Sequence, residues 1–111
     1  MKINEFYDLI AWKKAYSLVL NIYKITKGLP KEEVYGLISQ MRRAAISITA
    51  NIAEGFSRYH FKDKVRFYYQ SRGSLSEVLN FVLVIRDLSY INEFESGRLI
   101  EDCIEIKKRI D

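Results

Sequence analysis

The residues able to do chemistry are few and far apart. His60 is the one histidine and Cys103 the one cysteine in 111 residues. A general acid or base needs a partner within hydrogen-bond reach, and a metal needs three or four ligands, so two such residues in distant segments point to neither chemistry. His60 reads as a loop residue, and Cys103, set among apolar helix positions, as a small core hydrophobe. Ser47 and Ser74 have no local base or oxyanion motif. The expectation is a protein with no catalytic residue, no metal and no cofactor.

Polar residues at helical spacing carry more information. In RRAAISITANIAEG, residues 42–55, an amide, a carboxylate and a glycine close a run of small and β-branched residues. Asn51 and Glu54, with Arg72 and Glu77 further on, could form a recognition site or a helix-to-helix polar network, and the network is the expectation. Arg72 falls in register with apolar positions, so it should need an acid, with Glu54 or Glu77 the candidates. Arg42 and Arg43 could anchor phosphates or lie on a solvated helix face. Residues 56–72, FSRYHFKDKVRFYYQSR, interleave six aromatic rings with Arg58, Lys62, Lys64, Arg66 and Arg72 against a single acid, Asp63. Cations for phosphates and flat rings for bases are what single-stranded nucleic acid requires. An aromatic plug closing the end of a bundle would use the same residues, and periodicity sends Phe61, Phe67 and Tyr68 to apolar faces.

Helices must position these groups. One proline and five glycines leave few breaks. A first helix spans about Asp8 to Lys27, with Ala11, Ala15, Leu18, Ile22 and Ile25 on one face, stopped by Gly28 and Pro30. Pro30 suits the first turn of a second helix, and Glu32 and Glu33 suit its positive end. That helix reaches about Phe56 and buries Leu37, Met41, Ala44, Ile48, Ile52 and Gly55, opposite a polar stripe of Gln40, Arg43, Ser47, Asn51, Glu54 and Arg58. Ala45, Ala50 and Ala53 keep its flanks thin, so Gly55 should mark a helix end or a close crossing rather than a phosphate loop. A third helix spans about Phe61 to Leu88. It shows two apolar faces, Phe61, Val65, Tyr68, Leu75, Leu79 and Leu83 on one and Phe67, Ser74, Val78, Phe81 and Ile85 on the other. A solitary bundle usually needs one such face, so the second predicts a partner copy. Asn92 with Glu95 reads as the cap of a fourth helix carrying Leu99, Ile100, Cys103 and Ile110. The fold class is all-α: an antiparallel up-down-up-down four-helix bundle, one domain over residues 1–111, and oligomeric.

Composition agrees. Hydrophobic residues make up 49% and charged residues 29%, the balance of a globular protein. No run approaches the roughly 20 apolar residues of a membrane span, and acids at Glu5 and Asp8 read against a secretory leader. A cytoplasmic setting without membrane association is expected. The net charge of +4 comes from the first 60 residues, the remainder being balanced, which suits an acidic partner without demanding one.

The segments LIAWKKAYSLVLNIYKIT, LPKEEVYGLISQMRRAAISITANIAEG, RFYYQSRGSLSEV and DLSYI resemble the four-helix-bundle proteins encoded by intervening sequences in bacterial 23S ribosomal RNA genes. The most specific combination is RRAAISITANIAEG followed by RGSLSE. Arg43, Asn51, Glu54, Gly55, Arg72, Gly73 and Glu77 match the family pattern. That family is in turn similar to the accessory proteins of diversity-generating retroelements, pentameric barrels with basic surfaces that work beside a reverse transcriptase. The resemblance implies a homo-oligomer, a pentamer, with RNA or a nucleic-acid-binding protein as partner. YHFKDK departs from the family, with His60 and Phe61 where a small polar cap belongs, and the fourth helix should be shorter than usual.

Two functions follow as expectations. One is a non-catalytic module that binds RNA or a nucleic-acid complex through Arg42, Arg43, Arg58, Lys62 and Arg66. The other is a protein-binding adaptor with no affinity for bare RNA. The shortage of His, paired acids and metal-ligand spacings stands against an enzyme.

Overall fold

A computed structural model describes residues 2–111. Four helices carry the architecture: α1 (Ile10–Thr26), α2 (Ser39–Ser57), α3 (Phe61–Asp87) and α4 (Glu93–Ile110). A 27-residue helix is about 40 Å long, so α3 sets the 43 Å long axis of a molecule 26 and 18 Å in its other dimensions.

Contacts between neighbours climb one helix as they descend the other. Ser47 meets Ser74 at 2.8 Å, Ser71 donates to the Ile48 carbonyl at 2.9 Å, and Gly55 abuts Phe67 and Tyr68, so α2 and α3 run antiparallel. Arg72 pairs with Asp111 at 3.0 Å while Leu79 shares a groove with Cys103, which sets α4 antiparallel to α3. Lys14 lies 4.0 Å from Glu105 while Lys24 and Arg98 share a groove, which sets α1 antiparallel to α4.

The core follows the apolar spacing. Ala15, Leu18 and Ile22 are buried on α1 and Met41, Ala44, Ile48, Ile52 and Gly55 on α2, as periodicity predicts, while Ala11, Ile25 and Leu37 are half-buried and Val19 and the flanking Ala45 join the core. On α3 the expectation of two faces fails. The buried stripe is Ser71, Leu75, Val78, Val82 and Ile85, running between the two expected columns and taking members from each. α3 packs against both α2 and α4, and two flanking neighbours widen its apolar stripe within a single chain. Val78 and Ile85 are fully buried, and Phe81 packs partly buried against the same core. The breadth of the stripe on α3 is therefore no evidence for a second copy.

The ends of the helices are tied by specific bonds. α1 stops where Gly28 N–H donates to the Ile25 carbonyl. Pro30 precedes one turn of 3₁₀ helix, Lys31–Glu33, and then a wider turn, Val34–Ile38, broken at Gly36 (φ −111°, ψ −105°). The second helix thus starts at Ser39, later than the sequence predicts. α3 ends with Ser89 in the left-handed region (φ 62°). Ser89 N–H donates to the Arg86 carbonyl and Tyr90 N–H to the Ile85 carbonyl, the pair of bonds that closes a Schellman motif. Tyr90 hydroxyl then donates to Glu33 Oε2 at 3.0 Å, joining the two connections at that end of the bundle. Asn92 accepts from Glu95 N–H at 2.8 Å and Glu95 accepts from Asn92 N–H at 3.3 Å, the capping box at the start of α4.

Candidate nucleic-acid interface

The five cations expected to contact nucleic acid divide into two groups. In the α2/α3 register Arg43 is level with Val78, about twelve residues or 18 Å of helix from Arg66. Arg42 and Arg43 therefore lie apart from Arg58, Lys62 and Arg66 within the chain.

Arg42 is held by α1. Its Nε donates to Thr26 Oγ1 at 2.9 Å, a second nitrogen donates to the Tyr23 carbonyl at 3.3 Å, and the guanidinium lies 4.5 Å from the Tyr23 ring centroid. Thr26 is buried and donates in turn to the Ile22 carbonyl at 2.7 Å. The cation thus binds the Tyr23 carbonyl and the Thr26 hydroxyl at the negative end of α1, a role separate from both the phosphate anchor and the solvated face. Arg43 is exposed, and among the described residues it has no acidic partner.

At the other end, α2 and α3 approach closely at Gly55. A Cβ built there would lie 2.6 Å from Tyr68 Cε1 and 3.2 Å from Phe67 Cβ, so the glycine of NIAEG marks a close crossing two residues from the end of α2. Lys64 Nζ donates to the Phe56 carbonyl at 2.8 Å and to the Gly55 carbonyl at 3.3 Å, capping α2 with a cation. Arg58 pairs with Glu54 four residues back, and its guanidinium lies 4.7 Å from the Phe67 ring centroid. Arg66 flanks the same ring at 5.0 Å. The Phe67 ring thus has two guanidinium groups against it, of which Glu54 neutralises one. Lys62 and Arg66 are exposed and have no acidic partner among the described residues.

The polar set is distributed among separate pairs. Asn51 donates to the Ser47 carbonyl at 2.9 Å and to Ser47 Oγ at 3.0 Å, and Ser47 bonds Ser74, giving a short polar seam between α2 and α3. Glu54 binds Arg58 rather than Arg72. Arg72 binds Asp111 from a partly exposed position, so the buried cation expected from its register does not exist. The physical reason is length: an arginine stem lets the guanidinium reach past the apolar stripe to the rim. Glu77 is exposed and makes no hydrogen bond or ion pair among the described residues.

Several titratable groups are shifted by their surroundings. Burial pushes the Cys103 thiol up to about 12, leaving it protonated and inert. The Glu5 and Asn4 backbone N–H groups lower Asp8, which belongs to the cap before α1. Desolvation raises Asp102, which lines a groove of about 490 Å³ between α1 and α4 with Lys24, Phe94 and Arg98. Among the described residues no group of three or more His, Cys, Asp or Glu is placed to hold a metal, and no helix is long and apolar enough to cross a membrane. His60 is exposed and precedes the first residue of α3.

Comparison with known proteins agrees with the helical arrangement. A solved structure from Bacteroides thetaiotaomicron, a protein with unknown function from the S23 ribosomal protein family, superposes with a TM-score of 0.84 over 91% of each chain at 20% identity. No curated protein matches the chain. The model of the 23S rRNA-intervening sequence protein family matches residues 7–111, nearly the whole length. The chain belongs to the 23S rRNA-intervening sequence protein family.

Proposed function

We propose that this protein is a non-catalytic, self-associating helical module that binds RNA through a basic surface. The observation that carries the proposal is the state of its cations. Lys62 and Arg66 stand exposed on one end of the molecule without an acidic partner among the described residues, and Arg43 does so farther along α2. Unpaired surface cations are what phosphate contacts draw on. Arg42 and Arg58, both engaged within the protomer, supply field more than direct contact.

A single copy offers few free cations, so assembly matters. Self-association would repeat Arg43, Lys62 and Arg66 around an axis and let weak phosphate contacts act together. A pentamer is the form the family resemblance implies. The surface best suited to it is the outer stripe of α1, where Trp12 and Tyr16 stack at 4.7 Å and Leu20 continues the spacing of four with 54% of its surface exposed. This reading sets the protein in the cytoplasm, beside its RNA.

Native mass measurement of the purified protein, with analysis of co-purifying nucleic acid, tests both parts. An oligomer carrying RNA is expected, together with dissociation on Leu20→Glu and loss of RNA without dissociation on Lys62→Glu/Arg66→Glu. A monomer free of RNA would overturn the reading. An oligomer free of RNA that captures another protein would favour the adaptor.

A further inference from the structure

Three aromatic rings between residues 59 and 69 escape the core. Tyr59 is 91% exposed, Phe61 77% and Tyr69 64%. An aromatic plug would bury them, and periodicity predicts Phe61 on an apolar face, yet only Phe67 and Tyr68 turn inward against Gly55. Large rings left in water cost hydrophobic free energy, so three exposed rings within one short segment are the kind of surface that marks a binding site.

The setting narrows the ligand. Lys62, Arg66 and Tyr69 follow one another at spacings of four and three, which puts them on one face of α3. With Val65 and Gln70 they line an open groove of about 450 Å³. Neither cation in it has an acidic partner among the described residues, and no acid lines the groove. An acidic protein would match the charges but not the ring faces. Duplex RNA would match the charges and hide its bases in the stack. We propose that this groove and the exposed rings of the same segment form a stacking platform for single-stranded nucleic acid, with Lys62 and Arg66 on the phosphates and bases against Tyr69 in the groove and against Phe61 and Tyr59, which are exposed but do not line it. The proposal deepens the RNA-binding reading and rests on it.

The test is fluorescence anisotropy with a labelled 12-nucleotide single-stranded RNA and with the same sequence as a duplex, each across a salt series. Single-stranded RNA should bind more tightly than the duplex. Tyr69→Ala and Phe61→Ala should each weaken single-strand binding by about five- to a hundredfold, with the salt slope and duplex affinity unchanged. Tyr69→Trp should keep the affinity, while Lys62→Gln/Arg66→Gln should lower the salt slope for both RNAs. Equal affinity for the two forms, with aromatic variants neutral, would overturn the platform and leave RNA binding standing. Absence of binding to either RNA at low salt would overturn both. Loss of the native oligomer on Phe61→Ala or Tyr69→Ala would assign the rings to a contact between copies and overturn the platform. All these sites are exposed, so circular dichroism should show unchanged folding in each variant.

Discussion

Replacing Gly55 by alanine should destabilise the protein, although alanine is the better helix former. In an unhindered helix interior the change is worth about 1 kcal/mol in favour of alanine. At residue 55 the added methyl meets Tyr68 Cε1 at 2.6 Å, Tyr68 Cδ1 at 2.9 Å and Phe67 Cβ at 3.2 Å. The Tyr68 ring is half-buried and can swing, but Phe67 Cβ moves only with the backbone of α3. Overpacking of this kind costs about 1–3 kcal/mol, enough to cancel the propensity gain and reverse its sign in most of that range. A net loss near 1 kcal/mol would lower the melting temperature by about 4 °C for a domain of this length. Gly73 is the control: it lies inside α3 with nothing within 4 Å of a Cβ, so Gly73→Ala should raise the melting temperature. Thermal unfolding followed by circular dichroism at one fixed protein concentration compares them, since the proposed self-association would make melting concentration-dependent. Adding Tyr68→Ala to Gly55→Ala should recover part of the loss, a coupling read from the double-mutant cycle. A Gly55→Ala protein more stable than wild type would refute the close crossing of α2 and α3.

Arg42→Ala should cost about 1–3 kcal/mol by releasing Thr26 Oγ1 and the Tyr23 carbonyl, measured by urea denaturation, whereas Arg43→Ala should leave the midpoint unchanged. Ser89→Gly should stabilise by about 1 kcal/mol, because glycine adopts a φ of 62° without the steric cost that serine carries, and a lowered melting temperature would contradict the cap assignment. Cys103 should resist a thiol reagent in the native state and react on unfolding. Burial pushes its thiol from the ordinary 9.0 up to about 12, so the unfolded chain loses its proton first. The resulting stability is fully present below pH 9.0 and falls as pH rises towards 12. Cys103→Ala should lack that contribution to the alkaline decline.

Local features were the most legible in the sequence. The Asn92–Glu95 capping box and the buried face of α2 from Met41 to Gly55 follow from spacing within one segment; the box forms as predicted, and the face does with Ala45 added and Leu37 left in the preceding turn. The glycine of NIAEG was legible as a helix end or crossing, but the rings that make the crossing close come from α3. α3 misled because a helix pressed by two neighbours carries a broad apolar stripe, which a periodicity count splits into two faces. Side-chain partners from distant segments were not legible. Arg42 reaches a threonine 16 residues back, Tyr90 a glutamate 57 residues back, and Arg72 the carboxylate of Asp111. Long stems let all three pass over neighbours that sequence proximity favours. The candidate interface was half legible: basic and aromatic residues at 56–72 stood out, but which rings face water depended on the packing around Gly55.

The most direct test of RNA binding is the affinity of the assembled wild-type protein for a labelled single-stranded RNA, measured from low to physiological salt. Several phosphates should be neutralised per complex, so log affinity should fall linearly with log salt at about −0.7 for each. A correctly assembled protein that shows no binding at the lowest salt would contradict the account.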